Sequence, residues 1–346
     1  MSSSSVWALR FGAQLLSGAP AESAVHVAER LLAIQAQDPR GARLAVRART
    51  AGLTAADVDR ELNDRSLLIS WLNRGTLHLI RSQDYPLLHA LTTPQLATAS
   101  ARRLSQEGVS PAAAERAVAV VAAALASEGP LSREQLRERI ASAGVRTEGQ
   151  ALVHILFRAT LDGLVVRGPM IGGRHAFVLV DDWLGQPRRV ERQRALGELA
   201  RRYLRGHGPA DDRDLAKWAG ITLGDARAGL SAIASELQTS DDGLVDLNRR
   251  TGEAGLPKPR LLGAFDPVLH GWTSRQGVLG SFEPLVVSGG LFRPFVLARG
   301  RAAGVWTLSR DRAVVMSEHA KLSPAQETAL TRDANDVQRF LTPGRT

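Results

Sequence analysis

Apolar residues spaced three and four apart mark much of this chain as helical. The clearest case is an amphipathic helix predicted over residues 22–37, whose buried stripe consists of Ala24, Val27, Ala28, Leu31 and Ile34. Similar spacing predicts further helices over 6–16, 55–63 and 84–91. Two apolar runs, 66–72 and 76–80, are joined by Asn73-Arg74-Gly75, which is typical of a hairpin turn. The first part of the chain therefore combines helices with one β-hairpin.

Three helices followed by a β-hairpin recur along the chain. In the middle, helices predicted over 112–127, 133–142 and 148–162 precede strands over 164–167 and 175–180, and Ser132 with Gln135 predicts a capping box at the start of the second helix. Further on, helices are predicted over 191–205, through Lys217 and over 223–236, before a strand-like segment at 244–247. This order is typical of a winged helix, and the first 108 residues permit a third such unit.

The C-terminal part is different, because strands replace helices there. Strands are predicted over 261–265, 277–280, 294–298 and 301–308, before a terminal helix over 324–341. We therefore predict an α+β fold of three tandem winged-helix units followed by a small C-terminal β-barrel-like domain. The predicted domains are 1–108, 109–189, 190–254 and 255–346.

Gln35 interrupts the first apolar stripe at its end. It stands four residues after Leu31, and a buried amide is costly unless its hydrogen-bonding sites are used. Asp38 precedes Pro39, which disfavours the α conformation, so the helix is expected to end near Gln37. An unwound end brings both amides toward one space, where they hold a water or read a base edge. The alternative is a plain helix end whose glutamines bond to nearby carbonyls.

Composition narrows the class of protein. With 346 residues and 44% hydrophobic content, the chain is globular and large enough for several domains. It has no cysteine, no run of eighteen apolar residues and no signal-peptide pattern at its N-terminus. We expect a cytoplasmic protein without disulfides or a thiolate metal site, and no membrane partner.

The charge points to a polyanion. The net charge is +9, and every basic residue except Lys217, Lys258 and Lys321 is arginine, whose planar fork suits phosphate. A nucleic-acid partner explains this excess, and so does a GC-rich coding sequence, which inflates arginine and alanine. The candidate DNA contacts are Arg40, Arg43, Arg102, Arg103 and Arg174.

Three groups of segments carry a family resemblance. The stretch Leu31 to Pro39, with sequence LLAIQAQDP, resembles the catalytic Q-Φ-Q segment of the AlkZ-like winged-helix DNA glycosylases, and RGTLH at 74–78 resembles a second family segment. The segment LLGAFDP at 261–267, Gly271-Trp272 and Gly304-Val305-Trp306 resemble the family's C-terminal β-domain. The family includes the azinomycin self-resistance glycosylase and the AlkX (YcaQ) relatives.

The resemblance implies a function and a site. It implies a monomer that binds double-stranded DNA and hydrolyses the N-glycosidic bond of alkylated purines, and in some members unhooks interstrand crosslinks. Gln35 and Gln37 match the two polar positions of the catalytic segment; the AlkX branch has Asp at the second. Thr76 and His78, in the second segment, are further candidates for contact with DNA, although a lone His in a strand also suits a structural role.

The chemistry of glutamine is consistent with that function. Glutamine has no useful pKa, so it orients water rather than acting as a general base, and this suffices only where the leaving base is already cationic. We therefore expect N7- or N3-alkylated purines as substrates, no lyase step and no cofactor. The alternative is a non-catalytic winged-helix regulator or lesion-sequestering protein, which does not need the glutamine pair.

Overall fold

The structure is a computed structural model that describes residues 3–186, 191–248, 255–317 and 320–342. The chain forms two compact units. Unit 1 comprises Met1–Val58 and Gln193–Thr346, and unit 2 comprises Asp59–Arg192. Each unit is described by itself below.

Helices and short strands alternate along the whole chain. The helices are α1 (Ser3–Ala13), α2 (Ala24–Leu31), α3 (Pro39–Arg47), α4 (Ala55–Asn63), α5 (Tyr85–Thr92), α6 (Ala97–Gln106), α7 (Pro111–Glu128), α8 (Arg133–Ser142), α9 (Ala151–Leu161), α10 (Val180–Leu184), α11 (Arg192–His207), α12 (Asp212–Ala219), α13 (Leu223–Ala232), α14 (Gln276–Leu279), α15 (Glu283–Val286) and α16 (Pro324–Leu341). The strands are β1 (Ile34–Gln35), β2 (Leu67–Leu72), β3 (Thr76–Arg81), β4 (Val165–Ile171), β5 (Arg174–Leu179), β6 (Leu237–Thr239), β7 (Val245–Leu247), β8 (Arg260–Leu262), β9 (Val287–Ser288), β10 (Leu291–Phe292), β11 (Phe295–Ala298), β12 (Arg301–Leu308) and β13 (Val314–Ser317).

Unit 2 contains an antiparallel sheet with the strand order β3-β2-β4-β5. In the β2–β3 pair, Ser70 lies directly opposite His78. The apolar stripe of α9 is buried, and α8 begins at the predicted capping box between Ser132 and Gln135. The helices α7, α8 and α9 therefore precede the β4–β5 hairpin in the predicted order.

Unit 1 contains a second antiparallel sheet, ordered β13-β12-β11-β8. In the described residues this sheet is open, so the predicted barrel-like closure is wrong. The segment that follows β8 approaches α3 closely, because a Cβ on Gly41 would lie only 2.3 Å from the carbonyl oxygen of Ala264. Arg47 of α3 pairs with Asp333 of α16 at 2.9 Å, which fixes the two helices side by side.

A buried ion pair anchors the end of α3 in unit 1. Arg49 and Asp266 are completely buried, and their closest N–O distance is 2.8 Å. Arg49 also donates to the backbone oxygen of Gln14 at 2.7 Å and to its side-chain Oε1 at 3.0 Å. Removing two charges from water is costly, so a buried ion pair is tolerated only when most of its hydrogen bonds are made. The hydrogen bonds of Arg49 meet this condition.

Two predicted elements are wrong for identifiable reasons. The helix predicted over 22–37 is α2, which already ends at Leu31, so Gln35 lies on an extended strand. The strand predicted over 277–280 is instead the short helix α14. In both places a short apolar run fits a strand and a helix equally well, so tertiary packing determines which of the two forms.

The predicted domain limits stay predictions. The limits at 189/190 and 254/255 fall at 187–190 and 249–254, which lie outside the described residues. Among the residues that are described, no single helix is both long and apolar enough to cross a membrane. One pair, Pro94–Gln106 with Pro111–Glu128, meets the length and composition together, but it is bent by 106°.

Candidate functional site

A strained turn ends α2 and sets the path of the chain toward Gln35. Leu32 has φ 61° and ψ −41°, and the Ala33 N–H donates to the carbonyl of Leu31 at 2.7 Å. These values describe the rare γ-turn with positive φ, which is strained for any residue with a side chain. Leu32 is nevertheless fully buried, so packing holds the turn in place. The turn replaces a further helical turn with the extended pair Ile34–Gln35.

Gln35 is a buried amide with an unused acceptor. Its side chain is 6% exposed, and its Oε1 has no hydrogen-bond partner in the part of the chain that the structure describes. A buried acceptor without a partner costs about 1–3 kcal/mol, so it is unusual in a settled core. Strained backbone followed by an unsatisfied amide is the pattern of a site shaped for a ligand.

Gln37 differs from Gln35 in its exposure. It is open to solvent, whereas Gln35 and Ala36 are buried. The next residue, Asp38, caps α3 by accepting from the Arg40 N–H at 3.0 Å. The segment therefore presents one amide inside the protein and one at its surface, and its aspartate is occupied in capping.

The two arginines that follow this segment are placed differently. Arg40 is exposed. Arg43 is buried, and its Nη1 donates to the carbonyl of Pro39 at 2.9 Å. Arg40 is therefore open to a phosphate, whereas Arg43 supports the first turn of α3.

In unit 2, the second candidate segment is a buried turn and strand. His78 is buried and its Nδ1 lies 2.9 Å from the carbonyl of Thr76, whose own Oγ1 donates to the carbonyl of Asn73 at 3.2 Å. Burial, together with the neighbouring Arg74 guanidinium, lowers the pKa of His78 to about 3. The ring is neutral at physiological pH, so it is a poor phosphate ligand.

Two further polar residues of this hairpin were not predicted. The Oγ of Ser70 and both amide atoms of Asn73 are buried, and none has a hydrogen-bond partner among the described residues. The sequence signal for Ser70 is its position as the single polar residue within the apolar strand LLISWL. Asn73 gave no such signal, because asparagine is ordinary in a turn.

The other candidate DNA contacts of unit 2 are at its surface. Arg102 and Arg103 are exposed on α6, where Arg103 donates to Gln106 Oε1 at 2.9 Å. Arg174 begins β5 and its exposed guanidinium lies 3.2 Å from Glu134. Nothing in these contacts distinguishes them from ordinary surface arginines.

The arrangement in unit 1 has a definite chemical capacity. An unused buried carbonyl oxygen can accept a hydrogen bond from a water, and a nearby exposed amide can donate to or accept from the same water or a base. Neither amide can remove a proton completely, since glutamine has no useful pKa. The segment is therefore suited to orienting a nucleophilic water.

Comparison with known proteins gives consistent matches over almost the whole chain. Residues 28–340 match the family described as DNA glycosylase AlkZ-like. The chain is similar to a Streptomyces sahachiroi protein named interstrand DNA cross-link repair glycosylase, with 29% identity over 369 aligned positions that cover 96% of this chain and 95% of the relative. It is also similar to the solved structure of Streptomyces sahachiroi DNA glycosylase AlkZ, with a TM-score of 0.78, 26% identity, and coverage of 98% of this chain and 96% of that one.

Proposed function

Because the chain belongs to the AlkZ-like DNA glycosylase family, it is a DNA glycosylase, and we propose that it hydrolyses the N-glycosidic bond of purines made cationic by alkylation at N7 or N3. Family membership favours this enzyme over the non-catalytic regulator. The observation that carries the proposal is the buried, unpartnered Oε1 of Gln35.

In this proposal Gln35 and Gln37 orient the attacking water. The Gln35 Oε1 accepts a hydrogen bond from the water and fixes it against the sugar carbon, while Gln37, at the surface, contacts the water or the lesion. Positioning lowers the barrier because it replaces the random approach of a solvent molecule with one held geometry. The strained turn at Leu32 supports this role, since it holds Gln35 in an extended conformation.

The absence of a titratable base in the glutamine pair restricts the substrate. A neutral purine needs protonation before it leaves, whereas an N7- or N3-alkylated purine already carries positive charge. A pair of amides therefore acts on cationic lesions and leaves uracil or undamaged bases uncleaved. We infer that the enzyme is monofunctional as well, because a lyase step needs an amine nucleophile and neither glutamine supplies one.

Crosslinked purines are part of the proposed substrate range. A base tied to the opposite strand cannot swing fully into a closed pocket, so it must be attacked without ordinary flipping. The exposure of Gln37 supports such access. The named function of the Streptomyces sahachiroi relative, crosslink repair, is consistent with this range.

The helices and hairpins support a mode of DNA binding. We infer that α7–α9 with β4–β5, and α11–α13 with β6–β7, are winged helices, and that the first helices with β2–β3 form a third. Winged helices place a helix against the duplex and a hairpin along its backbone. Action as a monomer on double-stranded DNA is part of the same proposal.

The test is single-turnover cleavage of a duplex containing one N7-methylguanine, with alkali treatment to reveal abasic sites. We expect wild type to cleave and Gln37→Ala to be slower by about 10²-fold or more while still binding DNA. A uracil-containing duplex is the control and should remain intact. Wild type that binds duplexes with N7-methylguanine and N3-methyladenine but cleaves neither would overturn the proposal.

A further inference from the structure

A pocket of about 410 Å³ lies in unit 1 beside the start of α3. It is formed where the N-terminal turn of α3, the β12–β13 turn and the last turn of α16 meet. Its lining residues are Arg40, Leu308, Ser309, Arg310, Arg312 and Leu341. Half of them are arginines and none is acidic, so the pocket has a strongly positive lining.

The three arginines have no acidic partner in the described residues. Several other arginines of unit 1 are paired, as Arg47 is with Asp333 and Arg227 is with Asp212. By contrast, Arg40, Arg310 and Arg312 are exposed, and the Arg312 Nη1 donates to the carbonyl of Leu341 at 3.4 Å. Like charges around one cavity repel each other, and a bound anion relieves that repulsion.

The two carboxylates closest to these arginines in sequence do not line the pocket. Asp38 accepts from the Arg40 N–H as the cap of α3, and Asp311 is an exposed residue of the β12–β13 turn that does not line the cavity. The positive lining is therefore not neutralised by its immediate sequence neighbours.

Backbone contacts hold the β12–β13 turn in place. The Arg312 N–H donates to the carbonyl of Ser309 at 3.0 Å, and the Ser309 Oγ accepts from the Ala313 N–H at 3.0 Å. Gln338 of α16 donates to the carbonyl of Arg312 at 3.2 Å. The turn is thus tied to α16, which fixes the backbone positions from which Arg310 and Arg312 reach the pocket.

We propose that Arg40, Arg310 and Arg312 form a seat for a backbone phosphate of the DNA strand that carries the lesion. Guanidinium groups match phosphate oxygens in charge and in planar geometry. Arg40 follows Gln37 by three residues, which limits their Cα separation to about 11 Å, or roughly three nucleotide steps along a strand. This inference rests on the proposed function, because Gln37 marks where the lesion lies.

The first test measures binding of undamaged duplex DNA by fluorescence anisotropy over a range of salt concentrations. Each lost phosphate contact lowers the slope of log K against log salt by about 0.9. The triple variant Arg40→Gln, Arg310→Gln, Arg312→Gln should therefore lose about one unit of slope, because the three arginines bind a single phosphate. A matched triple variant at the exposed Arg293, Arg301 and Arg332 has the same net charge and should keep most of the wild-type slope.

A second test locates the phosphate. Single phosphates within about three nucleotides of an N7-methylguanine are replaced one at a time by neutral methylphosphonates. One replacement should weaken wild-type binding at least tenfold and leave binding by the triple arginine variant unchanged. Inorganic phosphate is titrated in parallel, because a pocket that takes only the free ion would bind it without any methylphosphonate effect.

The outcomes separate this inference from the proposed function. Salt slopes need no cleavage, so a wild type that cleaves nothing can still have the phosphate seat. Equal slopes for the two triple variants would overturn the seat even if wild type cleaves normally. A lower Tm with an unchanged slope would also overturn it, because the arginines would then serve only the carbonyl end of α16.

Discussion

The two ends of α3 use the same kinds of residue in opposite ways. At the paired end, defined by Arg47, Arg49 and their partners, both guanidinium groups are buried and each is paired with a carboxylate, although the Arg47 Nε has no hydrogen-bond partner among the described residues. At the open end, defined by residues 32–40, the backbone is strained, the Gln35 Oε1 has no partner among the described residues and Arg40 is exposed. Satisfied polar groups mark a scaffold, whereas unsatisfied ones held in place by that scaffold mark a site for a ligand.

The sharpest form of this contrast involves two buried glutamines. Gln14 is fully buried, and its Oε1 accepts from Arg49 at 3.0 Å, although its Nε2 has no hydrogen-bond partner among the described residues. Gln35 is almost as buried, yet its Oε1 accepts from nothing in the described chain. Burial of an amide alone therefore does not distinguish a scaffold residue from a site residue. The presence or absence of a hydrogen-bond partner at its carbonyl oxygen does.

The largest effect is expected from breaking the paired end. Arg49→Met leaves the Asp266 carboxylate buried without its partner, which should lower the free energy of unfolding by about 3–5 kcal/mol. Urea unfolding measures this change. Arg310→Met, at an exposed arginine, is the control and should change stability by less than about 0.5 kcal/mol. A loss under about 1 kcal/mol for Arg49→Met would mean that this ion pair is not part of the scaffold.

A smaller effect is expected from the strained turn. Leu31 and Leu32 are both fully buried, but only Leu32 has a positive φ. A β-branched residue is strongly disfavoured there, so Leu32→Ile should cost about 1–2 kcal/mol more stability than Leu31→Ile. Cleavage should slow as well, by up to about 100-fold if Gln35 is displaced by 1 Å. Urea unfolding and single-turnover cleavage are measured on both variants. Equal stability and equal cleavage rates would show that the turn at Leu32 does not position Gln35.

The smallest effect concerns pH and the buried histidines. Burial lowers the pKa of His78 and of His207 to about 3, well below the ordinary 6.5. Between about pH 3 and pH 6.5 the unfolded chain binds more protons than the folded one. The folded protein therefore has its full stability above pH 6.5, and its free energy of unfolding falls as the pH drops toward 3. From pH 6.5 to 5.5 the loss should be about 1 kcal/mol for each histidine. His78→Gln should show a shallower fall in urea unfolding than wild type, and an identical fall would contradict the low pKa.

Much of the fold was predictable because its helices carry strong local signals. The limits of α4, α8 and α16 are as predicted, and the capping box of α8 is confirmed. The pattern failed where the chain obeys tertiary contacts, as at α14 and at the end of α2. Nothing in the letters Leu31-Leu32-Ala33 distinguishes a γ-turn from one more helical turn, because the turn is stabilised by burial of Leu32 rather than by its own propensity.

The candidate site was predictable in part. Gln35 stood out because an amide continued an apolar stripe, although the stripe was assigned to a helix that the structure ends earlier. The arginine pocket was not predictable as a whole, since Arg310 and Arg312 are far from Arg40 in sequence and meet it only through the packing of α16 and the β12–β13 turn. Which arginines contact DNA, and the roles of Gln35 and Gln37, stay predictions.

The most direct test of the central claim compares Gln35→Met with Gln14→Met, two changes of similar shape at buried amides. Each variant is measured by urea unfolding and by single-turnover cleavage of a duplex with one N7-methylguanine. We predict that Gln14→Met loses about 1–3 kcal/mol of stability and keeps its cleavage rate, because Arg49 loses an acceptor. Gln35→Met should keep or gain stability and cleave at least about 100-fold more slowly. A Gln35→Met variant that is less stable but cleaves at the wild-type rate would contradict the account.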